Sequence, residues 1–407
     1  MDNTKILDIT ESVKWIGVLD PDLVTFDVVM ETKYGTTYNS YLVSDSEVTI
    51  IETVKENFWP VYEAKIRSLV DPAKIKYIIL NHTEPDHSGS LKNLLAIAPE
   101  ATVIGTGNAV RYLNEFLGTP FPHRIVKDGD TLNTGKNTFR FIGAPNLHWP
   151  DSMYTWLEQE RILFSCDSFG AHYAHEGVFD DLAGNWDDAF KYYFDMILKP
   201  FSRFMLKAIE KIRPLPISVI CPGHGPVLRS NWKKYVDLSE KYASEYLVLP
   251  QKNRVLIAYV SAYKNTGLLA AEIAKGIRSA GDIEVEVCDI EMKSLDEIGA
   301  QIERSNGLLL GSPVINQNIL LQIYQVFALI NPLRDKGKLA GAFGSYGWSG
   351  EGEKIITTAI ENLKLKYIGE SFFNKFTPQQ QELEKAFAYG KNFGEQLLKQ
   401  IENEENN

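Results

Sequence analysis

Residues 82 to 87 read His-Thr-Glu-Pro-Asp-His, so four side chains able to ligate a metal fall within six positions. The segment follows the apolar run KYIILN, which has strand character, and precedes SGSLKNLLAIAP, which has helical periodicity with Ser88 as its cap. Pro85 cannot continue a ladder and pushes Glu84 toward an extended conformation, which predicts a loop whose side chains splay to both sides of a metal pair. A solvated charged loop would explain this segment alone. Three more positions shift the balance: His148 follows FIGAPNL, Asp167 ends RILFSC, and His224 sits in Cys-Pro-Gly-His-Gly-Pro, where the glycines permit a tight turn and close approach. Of only seven histidines, four (His82, His87, His148 and His224) fall at or just past strand ends of one region. His123 reads as a surface residue, while His172 and His175 read as groups that orient ligands.

The elements that must carry these side chains are those of an α/β protein. From Tyr41 to Leu249, short apolar runs at residues 76–81, 101–106, 139–145, 161–167 and 217–223 alternate with helical stretches, and chemistry-bearing residues sit where the runs end. At 407 residues the chain holds about two domains. The texture changes in LVLPQKN near Pro250, which predicts one domain over 1–249 and a second over 250–407. A hydrophobic content of 44% with 23% charged residues is globular, and the terminal ENEENN reads as solvated tail. The net charge of −11 repels phosphate backbones and anionic lipid, which speaks against nucleic-acid and membrane-surface partners. Three scattered cysteines without a CxxC give neither a disulfide framework nor a cysteine-based metal site and suit a reducing cytoplasm. The polar N-terminus and the lack of a ~20-residue apolar run predict a soluble chain without leader or span.

After residue 250 a regular series begins, RVLIAYV, EVEVCDI, GLLLGSP and LAGAFGS, within five strand candidates separated by helices; this predicts a doubly wound parallel sheet with a ligand beyond the strand ends. The first loop, Ser261-Ala262-Tyr263-Lys264-Asn265-Thr266, offers hydroxyls and a helix N-terminus sized for a phosphate. Helix capping alone would also explain it. Two later loops strengthen the ligand reading: Ser312-Pro313-Val314-Ile315-Asn316, and Ser345-Tyr346-Gly347-Trp348-Ser349-Gly350, whose aromatics and glycines suit the stacking of a flat isoalloxazine. No G-x-G-x-x-G fingerprint or Walker loop is present.

The first half resembles the metallo-β-lactamase fold, whose binuclear members carry H-x-H-x-D-H; here Glu84 stands in place of the second histidine. With that exchange, His82, Glu84, Asp86, His87, His148, Asp167 and His224 resemble the diiron site of the flavodiiron proteins at all seven positions, and the loops of the second half resemble a flavodoxin FMN site. The resemblance covers nearly the whole chain and implies a metallo-β-lactamase-like αββα sandwich followed by a flavodoxin-like sheet. It also implies one iron on His82, Glu84 and His148, the other on Asp86, His87 and His224, and Asp167 bridging them. Carboxylate ligands favour iron over zinc. Two irons and FMN carry four electrons, enough to reduce O₂ to water or to couple two NO into N₂O, with His172 and tyrosines as helpers in proton delivery. The family implies a separate donor, a rubredoxin-like protein or a flavin- or NADH-linked reductase, since no such segment follows Asn407. It further implies a head-to-tail homodimer or a tetramer. Alternatives are NO reduction as the main activity, a hydrolase of glyoxalase II type with a metal-activated water, and a flavodoxin-like electron carrier. Two departures stand out: Lys264 where members often carry glycine, and Val314-Ile315 in place of a polar or aromatic pair.

Overall fold

In the first half of the chain, apolar residues occur on both faces of the strands, and a period of two sorts them between two cores. The computed structural model describes residues 1–26, 30–248 and 253–405. Val13, Trp15, Tyr41, Val43, Ile51, Ile79 and Ile104 point into a layer shared with Phe139, Phe141, Met153, Leu157, Ile162, Phe164 and Cys221. Their neighbours Leu42, Ile50, Ile78, Val103, Ile142, Leu163 and Ile220 point the other way, into a second core shared with the flanking helices. Two sheets therefore lie face to face with helices outside, an αββα sandwich. The first sheet orders its strands Leu7–Asp8, Val13–Trp15, Tyr41–Val43, Val48–Ile51, Ile75–Ile79, Thr102–Gly105 and His123–Ile125. The second runs Thr131–Asn133, Thr138–Gly143, Met153–Leu157, Ile162–Cys166 and Val219–Pro222, antiparallel except for the last, parallel pair.

This layering decides where the polar residues emerge. Asp167 directly follows the strand Ile162–Cys166, His224 follows Val219–Pro222, His82 follows Ile75–Ile79, and His148 lies in the connection from Thr138–Gly143 to Met153–Leu157. Local structure departs from expectation at one point. Residues Pro85–Ser88 form a single helical turn rather than a loop, because a proline is pre-set for the first helical position. Glu84 just before it is extended, with φ −55° and ψ 144°. Ser88 does not cap the next helix; its hydroxyl donates to the Thr83 and Glu84 carbonyls, and the helix Leu91–Ile97 begins after Ser90.

Contacts divide the chain into two compact units, Met1–Leu249 and Pro250–Asn407. Residues 249–252 of the expected LVLPQKN boundary lie outside the described residues. The second unit is a parallel five-stranded sheet in the order Glu284–Asp289, Arg254–Tyr259, Gly307–Pro313, Leu339–Tyr346, Lys366–Lys375. Strand alternation again feeds two cores: Leu256, Ala258, Leu308 and Leu310 face one helical layer, and Val255, Ile257, Leu309 and Phe343 the other. All strands being parallel, their C-terminal loops lie along one edge. On one face the helices Asn265–Ala280 and Gln380–Glu405 pack through glycine: a Cβ at Gly276 would stand 2.1 Å from the Phe387 carbonyl oxygen, and one at Gly390 2.1 Å from that of Ile273. Gly390→Ala should therefore force the two helices apart. The separation cost outweighs the roughly 1 kcal/mol helix-propensity gain, for a net loss of about 1–2 kcal/mol. Urea denaturation followed in the second unit reads this directly, and an unchanged midpoint would contradict the close-packing account.

Candidate functional site

Six of the seven predicted ligands form two triads. Glu84 Oε2 lies 3.3 Å from His82 Nε2 and 2.9 Å from His148 Nε2. Asp86 Oδ2 lies 3.3 Å from His87 Nε2 and 2.9 Å from His224 Nε2. The ligand atoms within each triad lie within 4.8 Å of one another. Asp167 stands between them with its oxygens divided: Oδ2 is 3.7 Å from His82 Nε2 and 3.6 Å from His148 Nε2, while Oδ1 is 3.1 Å from His87 Nε2 and 3.7 Å from His224 Nε2. The backbone makes room for this convergence. A Cβ at Gly223 would sit 2.5 Å from the His87 ring, and Gly225, with φ +75°, would clash with the Ala171 carbonyl at 2.6 Å. Cys166, immediately before Asp167, holds φ +47°, a strained value for a residue with a side chain.

In the second unit the three predicted loops lie at the strand C-terminal edge. Thr266 is buried within the first turn of the helix Asn265–Ala280, its hydroxyl 2.9 Å from the Ser345 hydroxyl, and Ser261 Oγ accepts from the Gly267 amide. Lys264 occupies the cap position with φ +63°. That left-handed backbone is where glycine is favoured, and here a lysine holds it. Tyr263 and Trp348 are 83% and 74% exposed, two aromatic faces available for stacking. Ser312 is turned inward: its hydroxyl donates to the Pro313 carbonyl and accepts from the Leu320 amide, closing its own loop. Val314 packs against Gly352, and Asn316 and Gln317 both take positive φ in the turn that follows.

Residues 36–225 match the family described as ODP family beta lactamase, and residues 257–390 match flavodoxin. A type A flavoprotein of Rhodobacter capsulatus is 37% identical over 96% of this chain and 91% of its own length. A flavo-diiron protein of Clostridium acetobutylicum is 36% identical over 96% of this chain and 99% of its own. The chain belongs to the flavodiiron family. The solved rubredoxin oxygen:oxidoreductase of Desulfovibrio gigas superposes with a TM-score of 0.69 at 28% identity, covering 98% of this chain and 100% of that one. A relative from Moorella thermoacetica named nitric oxide reductase is 32% identical over 94% of this chain and 96% of its own. Flavodiiron proteins are oxidoreductases that carry a non-haem diiron centre and FMN.

The residues present in this flavodiiron chain fit those groups. Asp86 Oδ1 and Asp167 Oδ2 are buried without a hydrogen-bond partner, and Asp86 Oδ2 meets only the imidazoles of His224 and His87; buried carboxylates so placed are costly unless they are paired or ligate a metal. Burial pushes the Asp167 carboxyl up, but the imidazoles of His87, His82 and His148 outweigh this and hold it well below the usual range, ready as an ionised ligand. Glu84 is held low in the same way: burial opposes it, and His148 and His82 prevail. Two ligand rings are fixed from behind. His82 Nδ1 meets Asp151 Oδ2 at 3.1 Å, and Asp151 in turn accepts from the Thr83 amide and hydroxyl at 2.8 and 2.7 Å. His224 Nδ1 donates to the Thr37 carbonyl at 2.6 Å.

His172 is brought beside the centre but reaches none of the triads' convergence points. It stacks on Phe26 at 4.3 Å and lies 5.3 Å from the His224 ring, with Nδ1 on the Thr36 hydroxyl at 2.9 Å. Burial and the neighbouring His224 lower its pKa to about 3, so it is a neutral wall. His175 only closes its own turn, accepting from the Gly177 amide. His123 is exposed on an edge strand. Sequence reasoning missed two contributors. Asp151 was visible as a carboxylate three residues past His148. Tyr193, whose hydroxyl donates to Asp167 Oδ1 at 3.2 Å, lies in the amphipathic segment Asp187–Tyr193, where one tyrosine reads the same as a core residue. Asp151→Asn should loosen the His82 side of the centre and lower iron affinity about 10- to 100-fold, with FMN content unchanged. Iron retained against a graded chelator checks this, and retention equal to wild type would show that Asp151 does not support His82.

Proposed function

We propose that this flavodiiron protein reduces O₂ to two molecules of water, with reductive coupling of two NO to N₂O as a second reaction of the same centre. The observation that carries the reading is Asp167, whose two oxygens each face a different triad, so that this one carboxylate would serve a metal held by either. In this reading His82, Glu84 and His148 hold one iron and Asp86, His87 and His224 the other. When bound and reduced, two irons and one FMN supply the four electrons that, with four protons, convert O₂ to water. The chain's own residues set the conditions. Asp151 and the Thr37 carbonyl hold His82 and His224 in position, Tyr193 keeps a proton on its hydroxyl beside Asp167, and Phe26 with His172 walls the His224 side with uncharged rings. Burial and the Asp167 charge push the Tyr193 hydroxyl well above its ordinary pKa, which keeps it a donor.

O₂ as the main substrate is supported by the name of the Desulfovibrio gigas structure, and NO as the second by that of the Moorella thermoacetica relative. A glyoxalase II-type hydrolase is disfavoured by Glu84 and by the flavodoxin unit. FMN is assigned to the loops at Ser261–Thr266, Ser312–Asn316 and Ser345–Gly350. Electrons are assigned to a separate donor protein, rubredoxin-like or a flavin- or NADH-linked reductase. A cytoplasmic setting is supported by three buried free cysteines, and no described helix is long and apolar enough to cross a membrane.

Purified protein should contain two irons and one FMN per chain. Zinc alone after expression in iron-replete medium, with no turnover on iron reconstitution, would contradict the assignment. Glu84→His should shift metal preference toward zinc and abolish O₂ reduction while FMN stays bound; full activity would show that Glu84 does not set the metal. Assembly is open to a mixed-dimer experiment, because we assign electron transfer to a head-to-tail pair in which FMN of one subunit faces the irons of the other, alone or within a tetramer. A subunit with His82→Ala and His224→Ala is combined with one carrying Thr266→Ala and Trp348→Ala, each loss having been verified. Activity should return in the heterodimer, and persistent inactivity would mean that each chain works alone.

A further inference from the structure

Of the three buried histidines among the candidate ligands, two have a hydrogen-bonding oxygen behind them: His82 has Asp151 and His224 has the Thr37 carbonyl. Among the described residues His87 has no such oxygen within hydrogen-bond distance. Its Nε2 faces Asp167 and Asp86, and its Nδ1 has only the Cys166 sulfur at 3.7 Å, a weak acceptor. A metal-ligating histidine commonly donates its other ring N–H to a carboxylate, carbonyl or water, which fixes the tautomer and raises the donor strength of the ligating nitrogen. One buried carboxyl nearby has an oxygen to spare. Glu52 is 1% exposed, and an oxygen of its carboxyl, a ring nitrogen of His87 and the Cys166 sulfur lie within 4.8 Å of one another. Its Oε1 accepts from the Asn81 amide at 3.0 Å, whereas Oε2 is buried with no partner.

The backbone around Glu52 is built to hold that side chain. Glu52 adopts φ +58°, a left-handed value that a non-glycine residue keeps only where its surroundings enforce it. Those surroundings are visible: its amide donates to the Ile79 carbonyl at 2.9 Å, and its carbonyl accepts from the hydroxyls of Ser40 at 2.8 Å and Tyr62 at 3.4 Å. Ile79 ends the strand that leads into His82, so Glu52 is tied to the chain segment that carries four of the seven ligands.

We propose that Glu52 is the positioning residue for His87, its free Oε2 accepting a hydrogen bond from the Nδ1–H, directly or across one bridging water, and so fixing Nε2 as the metal-facing nitrogen. This inference rests on the diiron reading of the same site. Glu52→Gln is the informative change. Its amide oxygen can keep the Asn81 contact, which turns the NH₂ toward His87 and sets donor against donor.

Wild type, Glu52→Gln and Cys166→Ala, each loaded with iron and FMN, are equilibrated anaerobically with a graded ferrous chelator, and iron per chain is read together with melting midpoints of the loaded and iron-free forms. In Glu52→Gln one of the two irons should leave at about 10- to 100-fold lower chelator activity, while the other iron, the FMN content and the iron-free midpoint match wild type. Iron retention equal to wild type overturns the proposal, as does an iron-free midpoint that falls as far as the loaded one, or a Cys166→Ala variant that alone reproduces the loss. If Glu52→Gln does not fold, Glu52→Asp, which draws the carboxyl back by one methylene, is read against the same criteria. Failure of wild type itself to hold two irons would instead overturn the diiron reading, and this inference with it.

Discussion

A buried carboxylate shared between two clusters of imidazole is the constraint on which the first unit depends. Asp167 is almost fully buried, and the charge it carries there is tolerable only because four ring nitrogens and, in the assigned function, two cations surround it. Satisfying that one residue demands that four separate segments end at the same point. The face-to-face sheets meet this demand, since period-two alternation commits every strand to two apolar cores and leaves the polar residues to emerge at the strand ends. Gly223 then removes the Cβ that would strike the His87 ring, and Gly225 the one that would strike the Ala171 backbone.

The seven candidate ligand side chains were legible in the sequence because they combine an unusual local density, three residue types with ligating side chains at four positions of residues 82–87, with positions just past apolar runs. Their division into two triads was not read from spacing; it came with the family resemblance, and the geometry now sets Glu84 with His82 and His148, and Asp86 with His87 and His224. The backbone between Glu84 and Ser88 was misread because proline is both a ladder breaker and a good first helical residue, and the sequence alone does not choose between those roles. Asp151, Tyr193 and Glu52 act through other residues, across 69, 26 and more than 30 positions of chain. Such contacts leave no local pattern, so only the folded chain places them.

The second unit was easier to read as a fold than as a site. Continuous apolar runs such as Val255–Ala258, separated by helical stretches, define a parallel sheet, and a parallel sheet places its loops at one edge. The roles of single loop residues depend on backbone state, which composition does not give. Ser312 looks like a ligand donor in sequence, yet its hydroxyl is spent on its own loop, and Lys264, which the sequence places in the phosphate-sized loop, holds a left-handed cap. Thr266 and Ser345, 79 residues apart, share a hydrogen bond that couples two of the three loops.

The central claim is that irons and flavin act together as a four-electron store. Anaerobic stopped-flow of the fully reduced protein, mixed with limiting O₂ and in a separate run with NO, tests it most directly. The account predicts that one O₂ per chain oxidises both FMN and the iron centre within a single turnover and yields water without detectable hydrogen peroxide. Oxidation of the flavin alone with stoichiometric peroxide, at a rate unchanged in iron-free protein, would contradict it.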